Sequence, residues 1–247
     1  MTRTMTHSRI LKVAFNAAWP RVASISRRAD CPYGSHIPVL MACCAIFKPQ
    51  RILELGMGLY STPLFLNPNV CPSLKLLHSI EDDPAWLEQV RSANMSDERW
   101  RPEICDGSVA AYVQRLDISA YDLIFIDDSG RVARSHTIQA VYAGRPRCPV
   151  VIHDAEVWRL RARIWFRRPL VIFDTFNPQT AVCLPRHAAQ LAVLRNSRRT
   201  WRYLAAAGQS AVNLAEWESV GRRAMLRFSS NLDTGAGKHA SKGRLFS

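Results

Sequence analysis

Residues 51–62 read RILELGMGLYST, in which a strand-like apolar run is followed by two glycines and then by the start of a helix. Glycine at positions 56 and 58 lets the backbone turn sharply and approach a ligand closely. A helix that begins near Ser61 presents its positive end to an anion. Because a G-x-G sequence alone occurs in many turns, the fold depends on whether the flanking segments repeat the order of strand, loop and helix.

The segments that follow do repeat this order. We predict a helix over 38–47, strands over 51–55, 76–80, 101–105, 121–126 and 149–153, and helices between them over 61–66, 84–93, 109–116 and 132–143. Several of the strands are apolar on both faces. This alternation predicts a parallel sheet that is covered by helices on both sides.

The end of this region departs from the parallel pattern. Two apolar runs, 170–175 and 180–184, flank Asn177-Pro178-Gln179, which predicts an antiparallel hairpin. The fold class is therefore α/β, with a doubly wound, Rossmann-like, mostly parallel seven-stranded sheet and a C-terminal antiparallel hairpin. We predict that this domain spans residues 35–185. A basic lead-in helix within 1–34 would precede it, and a basic helical extension (186–228) and a disordered tail (229–247) would follow.

Polar residues and glycines follow all five of the predicted parallel strands. The ligand crevice of an open α/β sheet lies at the carboxyl ends of its strands, so we expect these residues to converge. In strand order they are Gly56 and Gly58, Glu81, Asp106 and Ser108, Asp127 and Asp128, and His153 and Asp154.

Individual acids in this set have two interpretations. Glu81 either binds two ribose hydroxyls or caps the helix that begins at Pro84, and Asp106 either caps the next helix or contacts an adenine amino group. The dinucleotide motif G-x-G-x-x-G lacks its third glycine because Ser61 stands there, and no P-loop sequence is present. Dinucleotide-dependent redox chemistry and nucleotide hydrolysis are thereby disfavoured.

With these motifs in view, residues 35–185 resemble the class I S-adenosylmethionine-dependent methyltransferases. The resemblance is carried by ELGMGLYST (54–62), SIEDDPAW (79–86), CDGS (105–108) and YDLIFIDDS (121–129). Within that class, YDLIFIDDSGRVARS (121–135) and VVIHDAE (150–156) look like small-molecule O-methyltransferases of the catechol O-methyltransferase type.

The resemblance implies S-adenosyl-L-methionine as the cofactor and assigns the binding residues. Glu54, Gly56 and Gly58 would line its methionine part, with Ser61 in the same loop. Glu81 would bind the ribose, Asp106 and Ser108 the adenine, and Asp127 would lie near the sulfonium. The implied reaction is O-methylation of a small-molecule acceptor.

Methyl transfer from a sulfonium is an in-line displacement that mainly requires the two reactants to be held close and aligned. A hydroxyl acceptor must also lose its proton, and His153 and Asp154 are the predicted base, beside Asp127. The alternative is a satisfied buried histidine and a helix cap. We expect the N-terminal segment and the helix after Asp128 to form a lid over the acceptor.

A metal is not favoured. The catechol-type enzymes hold a divalent ion with an acid after strand four and an Asp-Asn pair after strand five. Asp127 and Asp154 match this set, but Ala155 stands where Asn is expected. Glu156 or Asp128 would have to substitute. We therefore predict no metal ligand, with a divalent ion as the alternative.

The charge of the chain lies at its ends. Residues 1–30 carry six basic and one acidic side chain, residues 186–247 carry eleven and three, and the middle is neutral. These ends predict either a nucleic-acid contact or a charged, solvated helix face. The seven cysteines form no C-x-x-C pair, and no apolar run is long enough to span a membrane, so we expect a cytoplasmic protein without integral membrane association.

Two other functions remain as alternatives. Transfer of an aminopropyl group to a polyamine would use Asp127 or Asp128 to bind the polyamine. A catalytically silent nucleic-acid binding module would use the basic ends. The sequence identifies neither the acceptor nor the oligomeric state.

Overall fold

The computed structural model describes residues 35–94, 97–128, 130–156, 169–174, 178–185, 190–191 and 194–195. The predicted lead-in helix, almost all of the basic extension and the C-terminal tail lie outside these residues.

Seven strands and five α-helices make up the described domain. The strands are β1 (Arg51–Leu55), β2 (Leu76–Glu81), β3 (Trp100–Ile104), β4 (Leu123–Ile126), β5 (Val150–Ile152), β6 (Leu170–Phe173) and β7 (Thr180–Cys183). The helices are α1 (Ile37–Phe47), α2 (Ser61–Leu66), α3 (Pro84–Asn94), α4 (Val109–Val113) and α5 (Arg131–Ala143), with a 3-10 turn at Ile118–Ala120. No described helix is long and apolar enough to cross a membrane.

The strands form one sheet in the order β3-β2-β1-β4-β5-β7-β6. Strands β1 to β5 are parallel to their neighbours, whereas β7 pairs antiparallel with both β5 and β6. The prediction of a mostly parallel seven-stranded sheet with a C-terminal antiparallel hairpin is confirmed. The strand order reverses between β1 and β4, which is where a doubly wound sheet opens its ligand crevice.

The sheet is buried on both faces. Along β4, Leu123 and Phe125 belong to one core cluster, with α1 and α2, while Ile124 and Ile126 belong to the other, with α4 and α5. Because successive side chains of a strand point to opposite faces, an uninterrupted apolar strand such as LIFI requires helices on both sides.

Several predicted boundaries differ from the structure by one to three residues, and two of these differences have a visible cause. The helix predicted over 109–116 ends at Val113, because the next residues close tighter turns in which the Arg115 and Leu116 N–H groups donate to carbonyls three residues back. Strand β4 begins two residues later than predicted. Asp122 instead accepts the backbone N–H groups of Gln50 and Arg51, both at 2.9 Å, and so fixes the start of β1.

The loop after β1 lies directly on the end of β4. Gly56 has a φ of 84°, in the left-handed region that favours glycine. A Cβ atom at Gly56 would lie 2.5 Å from the carbonyl carbon and oxygen of Asp127 and from the nitrogen of Asp128. All three atoms are backbone, so no side-chain rotation would relieve the contact. Glycine is therefore required at this position for both conformational and steric reasons.

We expect Gly56→Ala to lower the free energy of unfolding by about 3 kcal/mol, because it combines left-handed strain with overpacking. The matched control is Gly107→Ala. Gly107 has a φ of 85° but has no atom within 4 Å of its Cβ position, so it should cost only about 1 kcal/mol. Urea denaturation measures both values, and equal losses would contradict the steric argument.

Candidate functional site

The residues that follow the five parallel strands lie together along one edge of the sheet. Backbone hydrogen bonds continue the strand pairing past the strand ends: Gly56 N–H donates to Ile80 at 2.9 Å, and Asp127 N–H donates to Leu55 at 2.8 Å. His153 N–H likewise donates to the carbonyl of Ile126 at 3.1 Å. The predicted convergence of strand ends is therefore present in the structure.

The loop after β1 that contains Gly56 and Gly58 is called the glycine loop below. Glu54 lies beneath this loop, with no exposed surface. Its carboxylate accepts hydrogen bonds from the hydroxyls of Ser61 (2.6 Å), Thr62 (2.9 Å) and Ser79 (2.5 Å). Burial raises the pKa of Glu54 to about 7, and the three hydroxyl donors oppose that shift. Glu54 and Ser61 therefore hold the loop in place from below. Any contact of theirs with a ligand would require the loop to move.

The hydrogen bonds around Glu54 run in one direction. The Gly58 N–H donates to Thr62 Oγ1 at 3.2 Å, and the indole N–H of Trp100 donates to Ser79 Oγ at 3.0 Å. Since the hydroxyls of Thr62 and Ser79 each accept on one side, their own protons are left to donate to Glu54 Oε2. An oxygen that accepts two hydrogen bonds is therefore required at the Oε2 position.

Glu81, at the end of β2, is buried rather than solvated. Its Oε1 accepts the N–H groups of Asp82 (3.0 Å) and Asp83 (3.1 Å). Burial, together with a hydrogen bond to the Asp82 side chain, raises the pKa of Glu81 to about 8. The cap of α3 is instead Asp83, whose Oδ1 accepts the N–H groups of Ala85 and Trp86. The interpretation of Glu81 as a solvated helix cap is therefore wrong.

The loop after β3 is exposed. Ser108 is the N-cap of α4, and its hydroxyl accepts the Ala111 N–H at 3.2 Å. The residue that caps this helix is therefore Ser108 and not Asp106. Asp106 itself is exposed at the sheet edge. An adenine contact by Asp106 or Ser108 remains a prediction.

Asp127 and His153 form a pair at the centre of the site. His153 Nδ1 lies 3.1 Å from Asp127 Oδ1, and His153 Nε2 lies 2.9 Å from the hydroxyl oxygen of Ser35, just before α1. Burial opposes ionisation of Asp127, but the charges of His153 and Arg134 lower its pKa to about 2. A carboxylate only accepts hydrogen bonds, so Nδ1 carries a proton. In the neutral ring, Nε2 is then free to accept a hydroxyl proton.

His36 lies over the same pair. Its ring is buried, 4.7 Å from the His153 ring and 5.3 Å from the Phe125 ring. Within the described residues neither ring nitrogen of His36 has a hydrogen-bond partner. Burial lowers the pKa of His36 to about 3, so the ring is neutral. The start of α1 thus covers the site with Ser35 and His36, two residues that sequence reasoning did not predict.

Arg134 of α5 was also missed, and it binds both acidic strand ends. Its Nε and Nη2 donate to the carbonyl of Asp128 at 3.0 and 2.7 Å, and its Nη1 donates to the carbonyl of His153 at 3.3 Å and to the carboxylate of Asp154. Nη2 also lies 3.0 Å from Asp127 Oδ1.

A sequence signal for Arg134 did exist. Arg134, Thr137, Ile138 and Val141 recur at helical spacing and are all buried, so they share the face of α5 that packs on the sheet. An arginine on such a face, one turn into a helix that follows two acids, indicates a buried ion pair. Sequence reasoning predicted the acids but not Arg134, because only the acids directly follow a strand.

The catechol-type metal set does not fit this structure. Ala155 is buried and supplies no ligand atom, while Asp127 and Asp154 are both paired with the guanidinium of Arg134. His36, Asp127 and His153 do bring one ligand atom each within 4.8 Å of one another. Asp127 is the only carboxylate among these three residues, and the guanidinium of Arg134 already contacts it.

No protein-family model and no curated protein matches the chain. Solved structures of methyltransferases are similar to it. The O-methyltransferase from Bacillus cereus in complex with SAH is 15% identical and matches 74% of this chain and 94% of its own, with a TM-score of 0.48. Human methyltransferase-like protein 13 in complex with SAH is 18% identical and matches 79% and 91%, with a TM-score of 0.45.

The spermidine synthase from Thermotoga maritima is similar over a smaller region. It is 19% identical, with a TM-score of 0.43, and the match covers 55% of this chain and 54% of that protein. The chain therefore spans about half the length of the synthase. These similarities concern the fold alone.

We expect Glu54→Gln to destabilise the glycine loop, because the amide has one accepting oxygen instead of two and its N–H groups would face a hydroxyl that donates to Glu54 in the wild type. The free energy of unfolding should fall by about 1–3 kcal/mol. The matched control is Glu88→Gln on α3, where the same change at an exposed side chain should cost less than about 0.5 kcal/mol. Urea denaturation would contradict the directional network if both variants were as stable as the wild type.

Proposed function

We propose that this chain is an S-adenosylmethionine-dependent methyltransferase that methylates an oxygen atom of a small-molecule acceptor. The observation that carries the proposal is the position of His153. Its ring is oriented by Asp127 at one nitrogen and meets a hydroxyl at the other, at the sheet edge where the glycine loop and Glu81 also lie. This arrangement suits removal of a proton from a hydroxyl beside an adenosyl ligand.

The loop and the second strand end supply the proposed cofactor site. Gly56 and Gly58 present backbone without side chains to the methionine part, and Glu54 and Ser61 hold that backbone in place. Glu81 would accept hydrogen bonds from the ribose hydroxyls, with Asp106 and Ser108 at the adenine end. Bound S-adenosylmethionine would supply an activated methyl group.

The acceptor hydroxyl would take the place of the Ser35 hydroxyl at His153 Nε2. The neutral imidazole then accepts the proton as the oxygen attacks, and the ionised Asp127 stabilises the imidazolium that forms. Asp154 was predicted to share this base role. Because its carboxylate is paired with Arg134, we assign Asp154 to positioning and His153 to proton transfer.

The aminopropyl alternative receives less support from this geometry. A polyamine ammonium would need Asp127 or Asp128, and Arg134 already lies 3.0 Å from the first and 3.8 Å from the second. The alternative of a silent nucleic-acid binding module depends on the basic ends, which lie outside the described residues. Methyl incorporation distinguishes that module from an enzyme.

We expect S-adenosylmethionine to bind with release of a proton near pH 7. The pKa of Glu81 is raised to about 8 in the free protein, so the group is mostly protonated there. Accepting two ribose hydroxyls favours the carboxylate and lowers its pKa. Calorimetry in buffers of different ionisation enthalpy measures the proton release, and affinity should rise between pH 6 and pH 9.

The Glu81→Gln variant should bind more weakly and release no proton, whereas Asp106→Asn should keep the release. Proton release that persists in Glu81→Gln would refute the role given to Glu81. If neither S-adenosylmethionine nor S-adenosylhomocysteine produces heat, the proposed enzyme function is wrong.

We also expect Asp127 to control the pKa of His153. Burial alone would lower that pKa, but the charge and hydrogen bond of Asp127 raise it above the ordinary value of 6.5. In Asp127→Asn the pKa should therefore fall, and the ring should lose its proton at lower pH. NMR titration of the His153 ring measures this shift directly.

His153→Gln should reduce methyl transfer by about 10²–10⁴-fold, a typical contribution of a general base. The assay follows labelled methyl groups into small molecules of a cell extract, analysed by mass spectrometry. Transfer at the wild-type rate in His153→Gln would exclude His153 as the base.

A further inference from the structure

One buried guanidinium lies among the acids of β4 and β5. The carboxylates of Asp127, Asp128 and Asp154 surround Arg134. Its guanidinium lies 3.0 Å from Asp127 Oδ1, its Nε lies 3.8 Å from Asp128 Oδ1, and its Nη1 donates a hydrogen bond to Asp154. Its side chain is only 8% exposed. A charge at this depth is stable only when it is paired and hydrogen-bonded, and Arg134 meets both conditions.

The acceptor atoms around Arg134 resemble the surroundings of a bound cation. Oxygen atoms from two strand ends, carbonyls as well as carboxylates, point at one positive group, and oxygen ligands of this kind are those that Mg²⁺ and Ca²⁺ prefer. The acids of the set outnumber the guanidinium. Without the guanidinium, the three carboxylates would lose the cation that they share, and Asp127 would keep only His153 and Asp128 only the hydroxyl of Thr137.

All three guanidinium nitrogen atoms of Arg134 donate hydrogen bonds to these oxygen atoms. Nε, Nη1 and Nη2 together make four hydrogen bonds to Asp128, His153 and Asp154, and Nη2 also contacts Asp127. Arg134 is therefore placed to hold the strand ends rather than to contact an acceptor, which makes it a positioning residue.

We propose that Arg134 is the resident cation of this site and that its guanidinium holds the place between Asp127 and Asp154 which a divalent ion has in catechol-type methyltransferases. The chain then needs no metal to bring the two acidic strand ends together. Removal of the guanidinium should open a site for a divalent ion.

The proposal adds a role to the site described under the proposed function, but its test measures cation binding. Failure of this test and failure of methyl transfer are therefore distinguishable. The probe is Mn²⁺, followed by loss of the free-ion signal in electron paramagnetic resonance, on the full chain freed of metal.

We expect Arg134→Met to bind one Mn²⁺ at least tenfold more tightly than the wild type, because methionine keeps an apolar stem and removes the charge. The matched control is Arg134→Lys, which retains a positive charge and should bind Mn²⁺ as weakly as the wild type. Adding Asp127→Asn to Arg134→Met should abolish the gained binding, which locates the ion at this site.

Failure of Arg134→Met to gain Mn²⁺ binding would overturn the proposal. So would tight binding by the wild type that His36→Ala abolishes, since the ion would then belong to His36, Asp127 and His153. If Arg134→Met unfolds, thermal melting with and without Mn²⁺ or guanidinium ion decides the matter. Recovery of the melting transition by either cation supports the proposal, and recovery by neither contradicts it.

Discussion

The close approach of the β1 loop to the end of β4 is the constraint on which the site depends. At Gly56 the chain passes so near the peptide between Asp127 and Asp128 that no side chain fits. This contact fixes the distance between the proposed cofactor loop and the strand end that orients His153. Glu54 secures the other side of the loop through three hydroxyls. The loop is thus positioned by backbone contact from one side and by a buried carboxylate from the other.

Much of the fold was predictable because its signals are local. Alternating apolar strands and amphipathic helices require only short sequence windows, and every described strand and α-helix has the type that was predicted, whereas the 3-10 turn at Ile118–Ala120 was not predicted. The convergence of Gly56, Glu81 and Asp127 also followed from topology, since the carboxyl ends of parallel strands share one edge. Boundaries shifted where side chains such as Asp122 took over backbone hydrogen bonds from the strand.

The missed parts of the site come from contacts between distant segments. Ser35 and His36 approach His153 across more than a hundred residues of chain, and no local pattern signals that α1 crosses this edge. The depth of Glu81 was equally hidden, because a short acidic stretch before a proline reads as an exposed helix start. Arg134 differs from these cases, because the spacing of its apolar neighbours indicates that it lies on the buried face of its helix.

Electrostatic environment assigns different tasks to acids that are adjacent in sequence. Asp127 faces His153 and Arg134, which lower its pKa to about 2 against the effect of burial, whereas burial raises that of Asp128 to about 6. Asp154 has a φ of 56°, a conformation that costs a non-glycine residue about 1–2 kcal/mol. Its hydrogen bond to Arg134 offsets that strain, because a charge-assisted bond contributes a comparable amount. One guanidinium thereby acts together with His153 to keep Asp127 ionised and also holds the backbone turn after His153, the two features that orient the proposed base.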